Sequence, residues 1–227
     1  MLPGIDDGSK DIAMSLEMIR RSMEQGVEGI VFTPHFYADM DSPDTFLNRR
    51  NEALRALTAY FGQLPGTPIY AAGAEVHYFR GMSRVDDIER LCIGRSPYIL
   101  IEMPFRPWQP QMIDEIEEIS DVLGLRVIIA HIERYLDQDK RLVKRLISNP
   151  DLVIQSNAEF FIERRTTRKA TKMLSRGIID VIGSDSHNLG SRHPNIAEAL
   201  DIIARKPGED AIRRLSINGR LILESAL

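Results

Sequence analysis

The chain has 227 residues, 43% of them hydrophobic, with 29 Lys and Arg against 33 Asp and Glu for a formal net charge of -4. That length can bury one substantial core, the charge offers no global basic field to draw nucleic acid, and a single cysteine, Cys92, excludes an intrachain disulfide framework and argues against a thiolate metal site. No apolar run approaches the roughly 20 residues that cross a bilayer. Met1 to Gly8 carries neither a basic leader nor an apolar signal segment, so the expectation is a soluble chain in the reducing cytoplasm.

In chain order, Ile12, Leu16, Ile19 and Met23 recur at helical spacing, and Gly26 follows as a stop. A short run, Gly29-Ile30-Val31-Phe32, predicts a strand, and residues 44–61 predict a helix. The pattern then repeats. Strands are expected at 69–72, 98–101, 127–130, 152–154 and 181–183, and helices at 111–123, 139–147, 167–175 and 195–204. A last helix is expected from about Gly208 onward. The strand runs are short, β-branched and apolar on both faces, as in a parallel sheet covered by helices. No linker or repeat interrupts them, so residues 1–227 read as a single α/β domain.

Chemistry enters where the apolar runs end. They are followed in turn by Thr33-Pro34-His35, Gly73-Ala74-Glu75, Glu102, His131 and Ser184-Asp185-Ser186-His187. All strand carboxyl ends of a parallel α/β fold lie on one face, and that face carries the active site. A barrel would converge these groups on its axis, whereas an open sheet would spread them along a line. Carboxylates and imidazoles without thiolates suit Mn, Fe or Zn, and a metal cluster of this kind suits phosphoester hydrolysis. Singly, a strand-end His is more often a hydrogen-bonded structural residue, and Glu75 or Glu102 could cap a helix or pair with an Arg. Asp185 and His187 are a stronger pair, because period-two spacing points both side chains one way. The coincidence of five strand ends carries the inference.

Other residues read more blandly. His77 could share a face with Glu75, and His193 precedes Pro194 where a helix opens. Cys92 has no nearby His and reads as a packed apolar residue. Gly4 and Gly8 lack the spacing of a phosphate loop.

These residues fall within a set of motifs: Leu2-Pro3-Gly4-Ile5-Asp6-Asp7-Gly8, Thr33-Pro34-His35, Gly73-Ala74-Glu75-Val76, Ile101-Glu102, Ala130-His131-Ile132-Glu133-Arg134-Tyr135, Ser156-Asn157-Ala158 and Gly183-Ser184-Asp185-Ser186-His187-Asn188. In that order the chain resembles the PHP (polymerase and histidinol phosphatase) superfamily, and within it the bacterial protein-tyrosine phosphatases of capsular and extracellular polysaccharide operons. The resemblance implies a distorted (β/α) barrel holding up to three divalent ions, commonly manganese. It implies Asp7, His35, Glu75, Glu102, His131, Asp185 and His187 as ligands, and Arg134 with Arg192 as the phosphate-binding pair. The bland alternative for Arg134 is a salt bridge with Glu133 or with a neighbouring helix. The family starts with a strand bearing an H-x-H motif before the L-P-G segment, whereas here Met1 directly precedes Leu2. The resemblance therefore implies a barrel without its first strand, two ligands fewer, and weakened metal binding and activity.

The implied activity is removal of phosphate from the tyrosine-rich tail of a bacterial tyrosine kinase. A small-molecule phosphoesterase and a non-catalytic phosphate-binding remnant are the alternatives. The basic stretch Arg164-Arg165-Thr166-Thr167-Arg168-Lys169 reads either as a solvated helix start or as a docking surface for an acidic phosphorylated tail.

Overall fold

Strands and helices alternate along residues 1–227 of the computed structural model. The strands are β1 (Gly29–Phe32), β2 (His35–Phe36), β3 (Ile69–Ala72), β4 (Glu75–His77), β5 (Tyr98–Glu102), β6 (Arg126–Ile129), β7 (Val153–Asn157) and β8 (Val181–Gly183). The helices are α1 (Ile12–Glu24), α2 (Pro43–Thr58), α3 (Pro110–Asp121), α4 (Lys140–Ile147), α5 (Glu159–Ile162), α6 (Thr167–Ser175), α7 (Ile196–Arg205) and α8 (Glu209–Ala226). Caps set several helix starts. Asp11 accepts a hydrogen bond from the Met14 N–H at 2.8 Å, Ser42 from the Thr45 N–H at 3.2 Å, and Asp139 from the Arg141 N–H at 2.7 Å.

The apolar runs predict six strands; all six are present, and two short further strands, β2 and β4, join them. β2 follows β1 after the two-residue step Thr33-Pro34, and β4 follows β3 after Gly73-Ala74. Pro34 has no N–H to give to a ladder. Pairing nevertheless continues across the gap, because the Gly73 N–H donates to Phe32 O at 2.9 Å and the Glu75 N–H to Pro34 O at 3.0 Å. The hydrogen-bonded sets are β1-β3 and β2-β4-β5-β6-β7-β8, parallel throughout. Strand positions thus follow sequence order around a curled half-barrel, with every carboxyl end on one rim.

The sheet is covered on both faces, which explains why its strands are apolar without alternation. On the outer face, Ile99, Ile101, Val127, Ile129 and Ile154 join the main core with Ile113, Ile116 and Ile119 of α3. On the concave face, Ala71, Ile128, Val153 and Val181 pack with Ile222 and Ala226, and Leu223 packs alongside. The last turns of α8 therefore fill the inside of the half-barrel, at the end away from the rim. Two glycines permit this. A Cβ on Gly29 would overlap the Leu223 side chain. Gly94, at φ +54, lies against the Ala226 carbonyl, and that carbonyl accepts the Arg95 N–H at 3.1 Å.

Candidate metal centre

Each strand-end group reaches the rim because its strand delivers it there. Register places His35 opposite Glu75 on β2 and β4, and His77 opposite Glu102 on β4 and β5. His131 follows β6, and Asp185 and His187 follow β8. Asp7 arrives from the N-terminal loop. Glu75, Glu102, His131 and His187 are all buried.

The side chains form an unbroken series. His131 Nε2 lies 3.1 Å from Glu75 Oε1 and 3.4 Å from Glu102 Oε1. His35 Nδ1 is 3.8 Å from Glu75 Oε1, and its Nε2 is 3.5 Å from Asp7 Oδ1. The same Asp7 oxygen is 3.3 Å from His187 Nε2, and His187 Nδ1 is 3.6 Å from Asp185 Oδ1. All seven ligands implied by the resemblance are therefore neighbours. Both arginines implied with them are here too. Arg134 and Arg192 each donate to Asp185 Oδ2, at 2.7 and 2.6 Å. The loop after β8 folds back on itself, since the His187 N–H donates to Arg192 O at 2.9 Å, and this returns Arg192 to the rim.

Electrostatics follow from burial and pairing. Burial disfavours a charged imidazole at His131, but hydrogen bonds to Glu102 and Glu75 outweigh it and push the pKa up to about 9. Burial likewise works against the Glu102 carboxylate, yet His131 and His77 hold it well below the usual range. At Asp185 the cost of burial is overcome by Arg192 and Arg134, which hold its carboxyl low.

The donor set fits divalent ions. In two triads, Asp7-His35-His187 and His35-Glu75-Glu102, one potential ligand atom from each residue lies within 4.8 Å of the others. His35 is common to both. Its Nδ1 is buried without a hydrogen-bond partner, and such a group needs something to bind.

Several residues at the rim were not singled out by the strand-end pattern. His77 is one: its Nδ1 lies 2.9 Å from Glu102 Oε2, and its two-residue spacing from Glu75 was the available signal. Asp6 accepts the His35 N–H at 3.3 Å and the Gly8 N–H at 3.0 Å. The Tyr135 hydroxyl meets His131 Nδ1 at 3.1 Å. Glu133 does not pair with Arg134; it is pushed toward the neutral acid by burial and accepts the Asn157 N–H at 3.1 Å. His193 stands apart, with Nδ1 2.8 Å from Gly190 O, and α7 starts only at Ile196. Cys92 is buried and its thiol is pushed up to about 12 by desolvation, as expected of a packing residue.

A curled parallel half-barrel with acids and imidazoles along its carboxyl rim defines a PHP-type fold. The chain belongs to the CpsB/CapC family of capsular polysaccharide synthesis, which it matches over residues 1–224. It is 30% identical over 235 residues to the tyrosine-protein phosphatase CpsB of Streptococcus pneumoniae, covering 98% of this chain and 95% of that protein. It is 25% identical over 234 residues to the tyrosine-protein phosphatase YwqE of Bacillus subtilis, covering 99% and 89%. A chain from the crystal structures of YwqE and CpsB, described as unique metal-dependent tyrosine phosphatases, shares the fold with a TM-score of 0.83. That likeness covers 100% of this chain and 92% of the solved one at 23% identity.

Proposed function

We propose that residues 1–227 act as one metal-dependent protein-tyrosine phosphatase domain in capsular or extracellular polysaccharide synthesis. The observation that carries this reading is His35, shared by two ligand triads, next to a carboxylate clasped by Arg134 and Arg192. In this reading Asp7, His35, Glu75, Glu102, His131, Asp185 and His187 hold divalent ions, with manganese the proposed metal. Bound ions of this kind polarise phosphoryl oxygens and acidify a coordinated water.

The chain's own residues do the rest. Arg134 and Arg192 present planar guanidinium forks that match phosphate oxygens and remain charged at every working pH. Their side chains are each 33% exposed, so an incoming phosphate can reach them. Tyr135, buried behind His131, meets its Nδ1 and leaves Nε2 directed at the two glutamates. The phenolate of tyrosine leaves readily, with a parent pKa near 10, so the site needs no strong acid beside the leaving oxygen. No cysteinyl phosphate forms, because Cys92 lies in the core.

The proposed substrate is the phosphorylated tail of a bacterial tyrosine kinase, encountered in the cytoplasm. No helix is long and apolar enough to cross a membrane. Arg164, Arg165, Arg168 and Lys169 support this substrate as exposed cations just beyond the carboxyl end of β7. Thr166 and Thr167 fix the segment by donating to Phe160 O and Phe161 O at 2.8 and 2.9 Å.

The test is hydrolysis of a phosphotyrosine peptide with added manganese, with and without a chelator or a thiol-alkylating reagent. Loss with the chelator and none with the alkylating reagent is expected. Activity that survives complete metal removal would exclude the mechanism.

A further inference from the structure

Two of the proposed ligands, His131 and Asp185, stand at positive φ, +33 and +47, although neither is glycine. Residues of this kind hold such a backbone only where their surroundings enforce it. Both lie beside β7, one after β6 and one after β8. Between them β7 presents two carboxamides on alternate positions. The His131 N–H donates to Gln155 Oε1. Gln155 Nε2 donates to Asn157 Oδ1 at 3.0 Å, and Asn157 Nδ2 donates to Asp185 Oδ2 at 3.0 Å. Both ends of each amide are used, so each has one permitted orientation.

We infer that Gln155 and Asn157 are positioning residues: a neutral amide relay that holds the His131 backbone and selects which oxygen of Asp185 faces the metal centre. The inference rests on the reading of His131 and Asp185 as ligands. Asp185 Oδ2 receives three donors, from Asn157, Arg134 and Arg192, which leaves Oδ1 directed at His187. The Asn157 N–H is itself anchored on Glu133, so the relay is tied to the loop that carries His131. Amides suit this task because they orient a carboxylate without adding charge that would compete for the cation. Gln155 also sits on the concave side of the strand, between Val153, which packs on α8, and Asn157 at the rim. Gln155 is half-buried there, and the relay uses both its amide atoms.

The test uses Gln155→Leu, Asn157→Leu and the double variant of the full chain. Manganese alone is titrated by calorimetry, and amide hydrogen exchange is followed in the metal-free state. Each single change should weaken manganese binding about 10–100-fold. The double change should cost little more than the worse single one, because the two act in series. Gln155→Leu should also speed exchange of the His131 amide while the amides of β6 keep their protection. Unchanged His131 exchange, or additive losses in manganese affinity, would overturn the relay. If the unaltered chain binds no manganese, the ligand reading fails, and His131 exchange still decides whether the relay exists.

Discussion

The Nδ1 atom of His35 is buried, unpaired, and 3.8 Å from Oε1 of Glu75. That separation is too long for a hydrogen bond, and Nδ1 is closed to water. A divalent ion held by this cluster would give Nδ1 the partner it lacks. His35→Ala should therefore disturb both triads at once, and it should lose more bound manganese than Asp7→Ala, since Asp7 belongs to only one of them. Metal content by elemental analysis after equilibration with manganese checks this order. The reverse order would show that His35 is not the shared ligand.

Arg134 and Arg192 act on one oxygen of Asp185 but enter from different loops, and their contributions to phosphate binding should be separable. Arg134→Ala should lower kcat for a phosphotyrosine peptide by about 10²-fold, the usual cost of removing one charge-stabilising donor. Arg134→Lys should restore only part of the loss, because an ammonium cannot form the fork. Steady-state kinetics with all three proteins decide the point. Full rescue by lysine would reduce the role of Arg134 to net charge alone.

The shifted groups predict how stability depends on pH without metal. The folded His131 pKa is raised from 6.5 to about 9. Its stabilising contribution is therefore complete below pH 6.5 and lost as the pH rises through about 9. Glu102 is shifted the other way: its contribution is present above the ordinary carboxylate range and lost as the pH falls toward its lowered pKa. With chelator present, Tm should fall between pH 6.5 and 9, and His131→Gln should remove most of that slope. Added manganese should release a proton from His131 across the same range. A flat alkaline limb in the chelated protein would contradict the ion pairing described for His131.

The strand ends were legible in the sequence because parallel strands place every carboxyl terminus on one rim, so His35, Glu75, Glu102, His131, Asp185 and His187 could be grouped without a contact map. The short strands β2 and β4 were harder to read, since their two and three residues, which carry His35, Glu75 and His77, make no apolar run of their own. Asn157 ends β7 and falls in the Ser156-Asn157-Ala158 motif, but its role was not legible, and Gln155 carried no signal: amides are neutral, common and uninformative until their partners are known. The filling of the half-barrel by α8 was equally hidden. Its apolar face reads like that of any surface helix, and Gly29 and Gly94 reveal their purpose only when Leu223 and Ala226 lie against them.

Recognition of a phosphoprotein should depend on residues that a small substrate never meets. Replacing Arg164, Arg165 and Arg168 with Glu should raise KM for an acidic phosphotyrosine peptide several-fold, more at low salt than at high. The same protein should hydrolyse p-nitrophenyl phosphate with its kcat and KM unchanged. Equal effects on both substrates would place the segment in folding or in the site itself, and no effect on either would make it a solvated helix start.

The helix inside the half-barrel should govern stability more than chemistry. Gly94→Ala puts a methyl group into the Ala226 carbonyl and forces a side chain onto φ +54. Backbone strain and overpacking together should cost about 2–4 kcal/mol, or roughly 4–16 °C in Tm for a chain of this size. Leu223→Ala instead removes apolar burial beside Gly29 and should cost about 2 kcal/mol. In the double variant Gly29→Ala/Leu223→Ala, the new methyl occupies space that Leu223 vacates, so the loss should be smaller than the sum of the two single changes. Thermal unfolding of the metal-free variants measures these terms apart from ligand binding. Strict additivity at Gly29 and Leu223 would mean that α8 does not seat on β1 through this contact.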